Sequence, residues 1–96
     1  MKAIYKAPGE PAKLVELPKT DTAARRKLGG EVDVNPALNG AQVLSLTNAE
    51  NQKFNAHFLA GTYYGPILIV GKGENGERKD LSERMIKLIL LAFSKG

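Results

Sequence analysis

The stretch Gly65-Pro66-Ile67-Leu68-Ile69-Val70-Gly71 decides how this chain folds. Four consecutive apolar residues leave no polar side, so a strand built from them is buried on both faces. Gly65-Pro66 and Gly71 punctuate the run and hold it to strand length. It is placed at the centre of a sheet, among strands that are only half apolar.

Those neighbours lie on either side in the sequence. Val32 and Val34 alternate with polar residues, as in a half-buried strand that Asn35-Pro36 breaks. Asn39-Gly40 is a tight-turn signal, and Gln42–Leu46 follows as the next strand. Nearer the start, Lys2–Lys6 and Leu14–Leu17 flank Pro8-Gly9-Glu10-Pro11, which suggests a hairpin with a loose connection. Asn48–Gln52 is a polar turn, and Lys53–Ala60 reads equally as a short strand or an irregular loop.

Two helices complete the pattern. Thr20 supplies an N-cap hydroxyl, Asp21 suits the positive end of the dipole, and Arg25-Arg26-Lys27 suits the other end. Gly29-Gly30 stops this helix in the left-handed conformation. Ser82 caps a second helix, with Leu81 and Ile86 placed to form a hydrophobic staple. The expected fold is α+β: one domain over residues 1–96, a small mixed, mostly antiparallel sheet, and both helices packed on one face.

The last helix carries an excess of apolar residues. At about 100° per residue, Met85, Ile86, Leu88, Ile89, Ala92 and Phe93 share one broad face, and Leu90 and Leu91 fall outside it. Either the chain wraps this helix on a second side or another subunit covers it. The few spare segments favour a homodimer or a partner contact through Leu90 and Leu91.

Composition narrows the chemistry. The 96 residues include no cysteine, which removes disulfides, thiolate metal sites and a cysteine nucleophile. Met1–Ala7 lacks the apolar run of a signal segment, and Leu88–Phe93 falls far below the ~20 residues a membrane span needs. The chain is read as cytoplasmic, with no membrane partner. Net charge is +4, with seven Lys/Arg against three Asp/Glu in residues 1–30 and six against four in residues 72–96. Basic ends leave contact with nucleic acid open.

His57 is the only histidine, and nothing spaced near it supports a dyad or a metal site. Gly71-Lys72-Gly73-Glu74-Asn75-Gly76 matches a dinucleotide-loop spacing. Glu77-Arg78-Lys79-Asp80 stands where a phosphate-binding helix should open, so the glycines are read as a turn. Tyr5, Tyr63 and Tyr64 do not interleave with cations in the sequence, as a stacking platform for single strands would require. No catalytic residue, metal ligand or cofactor is assigned. The polar and aromatic stretch holding Asn48, Asn55, His57 and Tyr64 is the candidate ligand or partner surface, and turn formation by its asparagines is an equal reading.

Leu28-Gly29-Gly30-Glu31-Val32-Asp33-Val34 and Gly65–Gly71, running on through Asp80-Leu81-Ser82 to Phe93, together with Lys2-Ala3-Ile4 and Pro8-Gly9, resemble the small bacterial and phage proteins of the domain of unknown function 3846 family. In that family the turn after the second central strand reads asparagine, two acidic residues and glycine. Here it is Asn48-Ala49-Glu50-Asn51, with Asn55 matching a second asparagine. Ala60-Gly61-Thr62 stands where the family often has an acidic residue.

The resemblance implies a phage or mobile-element gene and no activity. The function expected is therefore a non-enzymatic small binding protein engaging a host protein or a small ligand, with inhibition of host defence as one setting. The alternative is a nucleic-acid-binding accessory protein that uses the basic ends. Heparin or mixed-sequence DNA, titrated at low and moderate salt, should show no steep salt slope if the first reading holds. A log–log slope of about −3 or steeper would transfer the function to phosphate contacts.

Overall fold

The structure is a computed structural model that describes residues 1–37, 40–49, 51–59 and 61–94. In chain order the elements are β1 (Lys2–Lys6), β2 (Lys13–Glu16), α1 (Asp21–Leu28), β3 (Val32–Pro36), β4 (Ala41–Leu46), β5 (Phe54–Phe58), β6 (Gly61–Tyr64), β7 (Ile67–Lys72), β8 (Arg78–Lys79) and α2 (Glu83–Ser94). The main sheet runs β2-β1-β7-β4-β3, with β8 also pairing β7, and β5-β6 forms a separate hairpin. Every strand pair is antiparallel.

β7 is central, as its composition demands. Ile4↔Ile69 and Val43↔Ile69 align one row across the sheet, and Tyr5↔Leu68 and Leu44↔Leu68 align the next. Ile67, Leu68, Ile69 and Val70 are all fully buried. Each such side chain contributes about 1.5–3 kcal/mol relative to exposure.

The period of two sends these residues to opposite sides. Ile67 and Ile69 join Ile4, Val43, Leu81, Ile86 and Ile89, the core beneath α2. Leu68 and Val70 join Ala3, Leu44, Ala24 and Leu28, the core beneath α1. The two helices therefore cover opposite faces, which corrects the expectation of one shared face. A doubly apolar strand left bare on one side would lose half of its burial.

Both helix ends follow their signals. Thr20 Oγ1 accepts the Ala23 N–H at 3.1 Å. Gly29 has φ 96° and donates to the Arg25 carbonyl at 2.7 Å. Ser82 Oγ accepts the Met85 N–H at 3.2 Å, and Leu81 and Ile86 are buried in the same core. An Arg78–Asp21 ion pair ties β8 to the first turn of α1. Gly71 is required where the chain crosses after β8: a Cβ there would overlap the Lys79 and Asp80 carbonyl oxygens.

Two further expectations change. Asn35-Pro36 does not break β3, which runs through Pro36. Glu31 accepts from Thr47 N–H and Ala37 donates to the Ala41 carbonyl, so odd-numbered residues face β4 and Pro36 faces the free edge. An edge proline deprives the ladder of no donor. On α2, Leu90 packs half-buried against the core, while Leu88 and Leu91 are 46% and 56% exposed. The hairpin supplies the second wall expected of a wrapped helix: Phe58 stacks on Phe93 with centroids 5.1 Å apart. Of the residues proposed to meet another subunit, Leu91 remains available and Leu90 does not. The Asn39-Gly40 turn falls partly outside the described residues. No described helix is long and apolar enough to cross a membrane.

These contrasts predict a stability pattern for thermal or denaturant melts. Leu68→Ala should cost about 2–5 kcal/mol, because it hollows the core under α1. Leu88→Ala should stay within about 0.5 kcal/mol of the parent, because its side chain fills no core.

Candidate functional site

Lys53–Ala60, ambiguous as sequence, contains β5, which pairs with β6 as a hairpin, and one irregularity sets its surface. Phe54 pairs with Tyr64 and Ala56 with Tyr63, so Asn55 is an extra residue, a β-bulge. Beyond the bulge Phe58 and Tyr63 point into the core. The bulge shifts the alternation, turning Asn55 inward and Phe54 outward. Leu59, at the tip, has φ 55° and is 56% exposed. A branched side chain there stores strain on the order of 1–3 kcal/mol.

Asn55 is 7% exposed, and its amide acts as a clamp. Nδ2 donates to the Lys6 carbonyl at 2.8 Å and to the Gly65 carbonyl at 2.7 Å. Oδ1 accepts from Lys6 Nζ at 2.8 Å. The side chain thus ties the hairpin to the end of β1 and to the turn before β7.

The outer face is aromatic. The Phe54 ring lies 5.0 Å from His57 and 5.9 Å, edge-on, from Tyr64. These separations fall within the range where aromatic pairs attract beyond their area. His57 Nδ1 also meets Thr62 Oγ1 at 3.0 Å across the strands. Phe54 and Tyr64 are about half exposed, at 48% and 46%. On the inner side, burial pushes the Tyr63 phenol above its ordinary pKa of 10.0.

Of the four residues proposed from sequence, the fold gathers His57 and Tyr64 around Phe54. Asn55 lies beneath them as a structural residue. Asn48 is exposed after β4 and makes no side-chain hydrogen bond with described residues. Phe54 was missed, because its outward position depends on the bulge. The sequence signal was available only as an aromatic opposite Tyr64 once the two strands are paired.

Between the hairpin and the last turns of α2 lies a groove of about 220 Å³, lined by Lys6, Phe54, Asn55, Ala56, His57, Ala92 and Phe93. Lys6 Nζ stands 5.9 Å from the Phe93 centroid. Among the described residues no Asp or Glu lines this groove and Lys6 makes no ion pair.

Elsewhere, Tyr5 sits between Lys27, 4.5 Å from its centroid, and Lys13, at 5.8 Å. The fold thus interleaves an aromatic ring with cations that are distant in sequence, contrary to the linear reading. Arg25 of the basic run pairs with Glu31 at 3.5 Å. The glycine-rich loop is a turn: Gly76 donates to the Gly73 carbonyl at 3.0 Å, and β8 follows it rather than a helix. An open cleft of about 520 Å³ beside the start of α2 is bordered by Lys19, Lys79, Asp80 and Ser82. Among the described residues no cluster of His, Asp and Glu is grouped to hold a metal ion. Compared with protein-family models, curated proteins and solved structures, the chain matches none.

The clamp sets what alanine at Asn55 should do. Asn55→Ala leaves the buried Gly65 carbonyl, the part-buried Lys6 carbonyl and the Lys6 ammonium short of a partner, so it should lower stability by about 1–3 kcal/mol. Tyr64→Ala should leave the melting temperature within about 2 °C. Thermal melts of both variants check the contrast.

Proposed function

We propose that this chain is a non-enzymatic small binding protein that engages a host protein or a small ligand through the outer face of its β5–β6 hairpin. The observation that supports it is the exposed Phe54–His57–Tyr64 cluster, carried on a hairpin that Asn55 locks to the sheet. Exposed aromatics on a rigid support are what binding hot spots are made of, because they desolvate a large area at little entropic cost. Leu88 and Leu91 are exposed on α2 and are the residues a homodimer would bury. The phage or mobile-element setting, and with it a cytoplasmic protein that blocks a host defence, rests on the resemblance in the glycine and apolar motifs. The nucleic-acid alternative gains Tyr5 between Lys13 and Lys27, yet those two lysines already lie against the ring that a base would need.

Capture from a host lysate tests the reading. The parent protein should retain a partner that the Phe54→Ser/Tyr64→Ser double variant loses, with both proteins melting alike. Equal capture by the two would place binding on another surface. In sedimentation at micromolar concentration, a dimer mass that Leu88→Glu/Leu91→Glu reduces to a monomer would make a second copy the partner of α2.

A further inference from the structure

We infer that the groove between the hairpin and α2 binds a carboxylate carried on an apolar group about the size of one amino-acid side chain. This deepens the proposed function, on which it rests, by giving the ligand a chemistry. Size comes first. The groove, at about 220 Å³, is smaller than the roughly 300–1,000 Å³ of sites that enclose a drug-sized molecule. It fits a single ring or branched chain. Phe54, Phe93, Ala56 and Ala92 are among its lining residues, which favours an apolar occupant.

Charge gives the second half. Lys6 is half-buried at the groove and spends one of its three N–H donors on Asn55 Oδ1, at 2.8 Å. Asn55 is itself buried and held by two backbone carbonyls, so the ammonium is positioned before any ligand arrives. Among the described residues no carboxylate lines the groove, so the remaining donors are free for an anion supplied from outside. The C-terminal end of α2 carries a partial charge of about −0.5, which offsets the lysine only in part. An ammonium pre-fixed beside an aromatic lining selects an acid with an apolar body over either feature alone. Such a group occurs as a free aromatic acid and as the last residue of a peptide chain.

The probes are N-acetyl-phenylalanine, its primary amide, and a short peptide ending in phenylalanine with a free carboxylate, each titrated into isotope-labelled protein and followed by backbone amide shifts. The free acid should shift Lys6, Asn55, His57 and Phe93 saturably, and the amide should bind about ten- to a hundredfold more weakly. Lys6→Met should remove that preference, and Lys6→Arg, which keeps the charge, should retain it. A peptide that binds more tightly than the free acid assigns the carboxylate to a protein chain end; the reverse order assigns it to a free acid. Equal binding of acid and amide, no shift with any probe, or a Lys6→Met protein that still prefers the acid would overturn the inference. If that happens while Phe54→Ser/Tyr64→Ser still abolishes partner capture, the hairpin remains the binding surface and only the ligand chemistry fails.

Discussion

The rest of the structure depends on the requirement that β7 be covered on both faces and paired on both edges. Its four apolar side chains alternate across the sheet, so the molecule needs two separate covers. α1 provides one through Ala24 and Leu28. α2 and the β5–β6 hairpin provide the other through Ile86, Ile89, Phe58 and Tyr63. The hairpin belongs to this demand as much as the helices do: α2 alone lies nearest β1, and Phe58 stacked on Phe93 fills the flank beside it. The surface that we read as functional is thus the outside of a piece whose inside is core.

Elements governed by local chemistry were legible in the sequence. The Ile67–Val70 run, the Thr20 cap and the Gly29 stop each depend on residues within one or two turns of themselves, and each appears where the sequence placed it. The placing of the helices on opposite faces was not read from the sequence, although its premise was legible: a strand buried on both sides needs cover on both. The misplacement of Leu90 has a similar origin. A helical wheel ranks faces by apolar content, but the rotation of α2 is set by its contact with the sheet and hairpin, which brings Leu90 in and leaves Leu88 out.

At the candidate site the limit was parity. One extra residue in β5 reverses which side chains face outward, and nothing in Lys53–Phe58 announces it. Asn55 drew notice as a polar residue in a loop-like stretch, but its two carbonyl partners come from Lys6 and Gly65, segments that only tertiary structure brings together. The Tyr5–Lys27 contact escaped for the same reason, since β1 and α1 meet only across the sheet. His57 and Tyr64 drew notice for their polar and aromatic character in the same stretch, and the hairpin leaves both exposed.

The pairing of β1 with β7, in the register Ile4↔Ile69, carries a consequence for how the chain reaches this state. β1, which precedes the other strands of the sheet in chain order, has as its inner neighbour β7, one of the later ones. Until β7 emerges, β1 and β4 each expose an unpaired edge with apolar residues, and α1 has no floor to rest on. Non-local closure of this kind slows folding, because the chain entropy of the intervening loop is lost before the contacts form. During that interval the β1–β2 and β3–β4 hairpins are open to pairing with other chains. Synthesis at high concentration is therefore the stage at which this sequence is most exposed to aggregation.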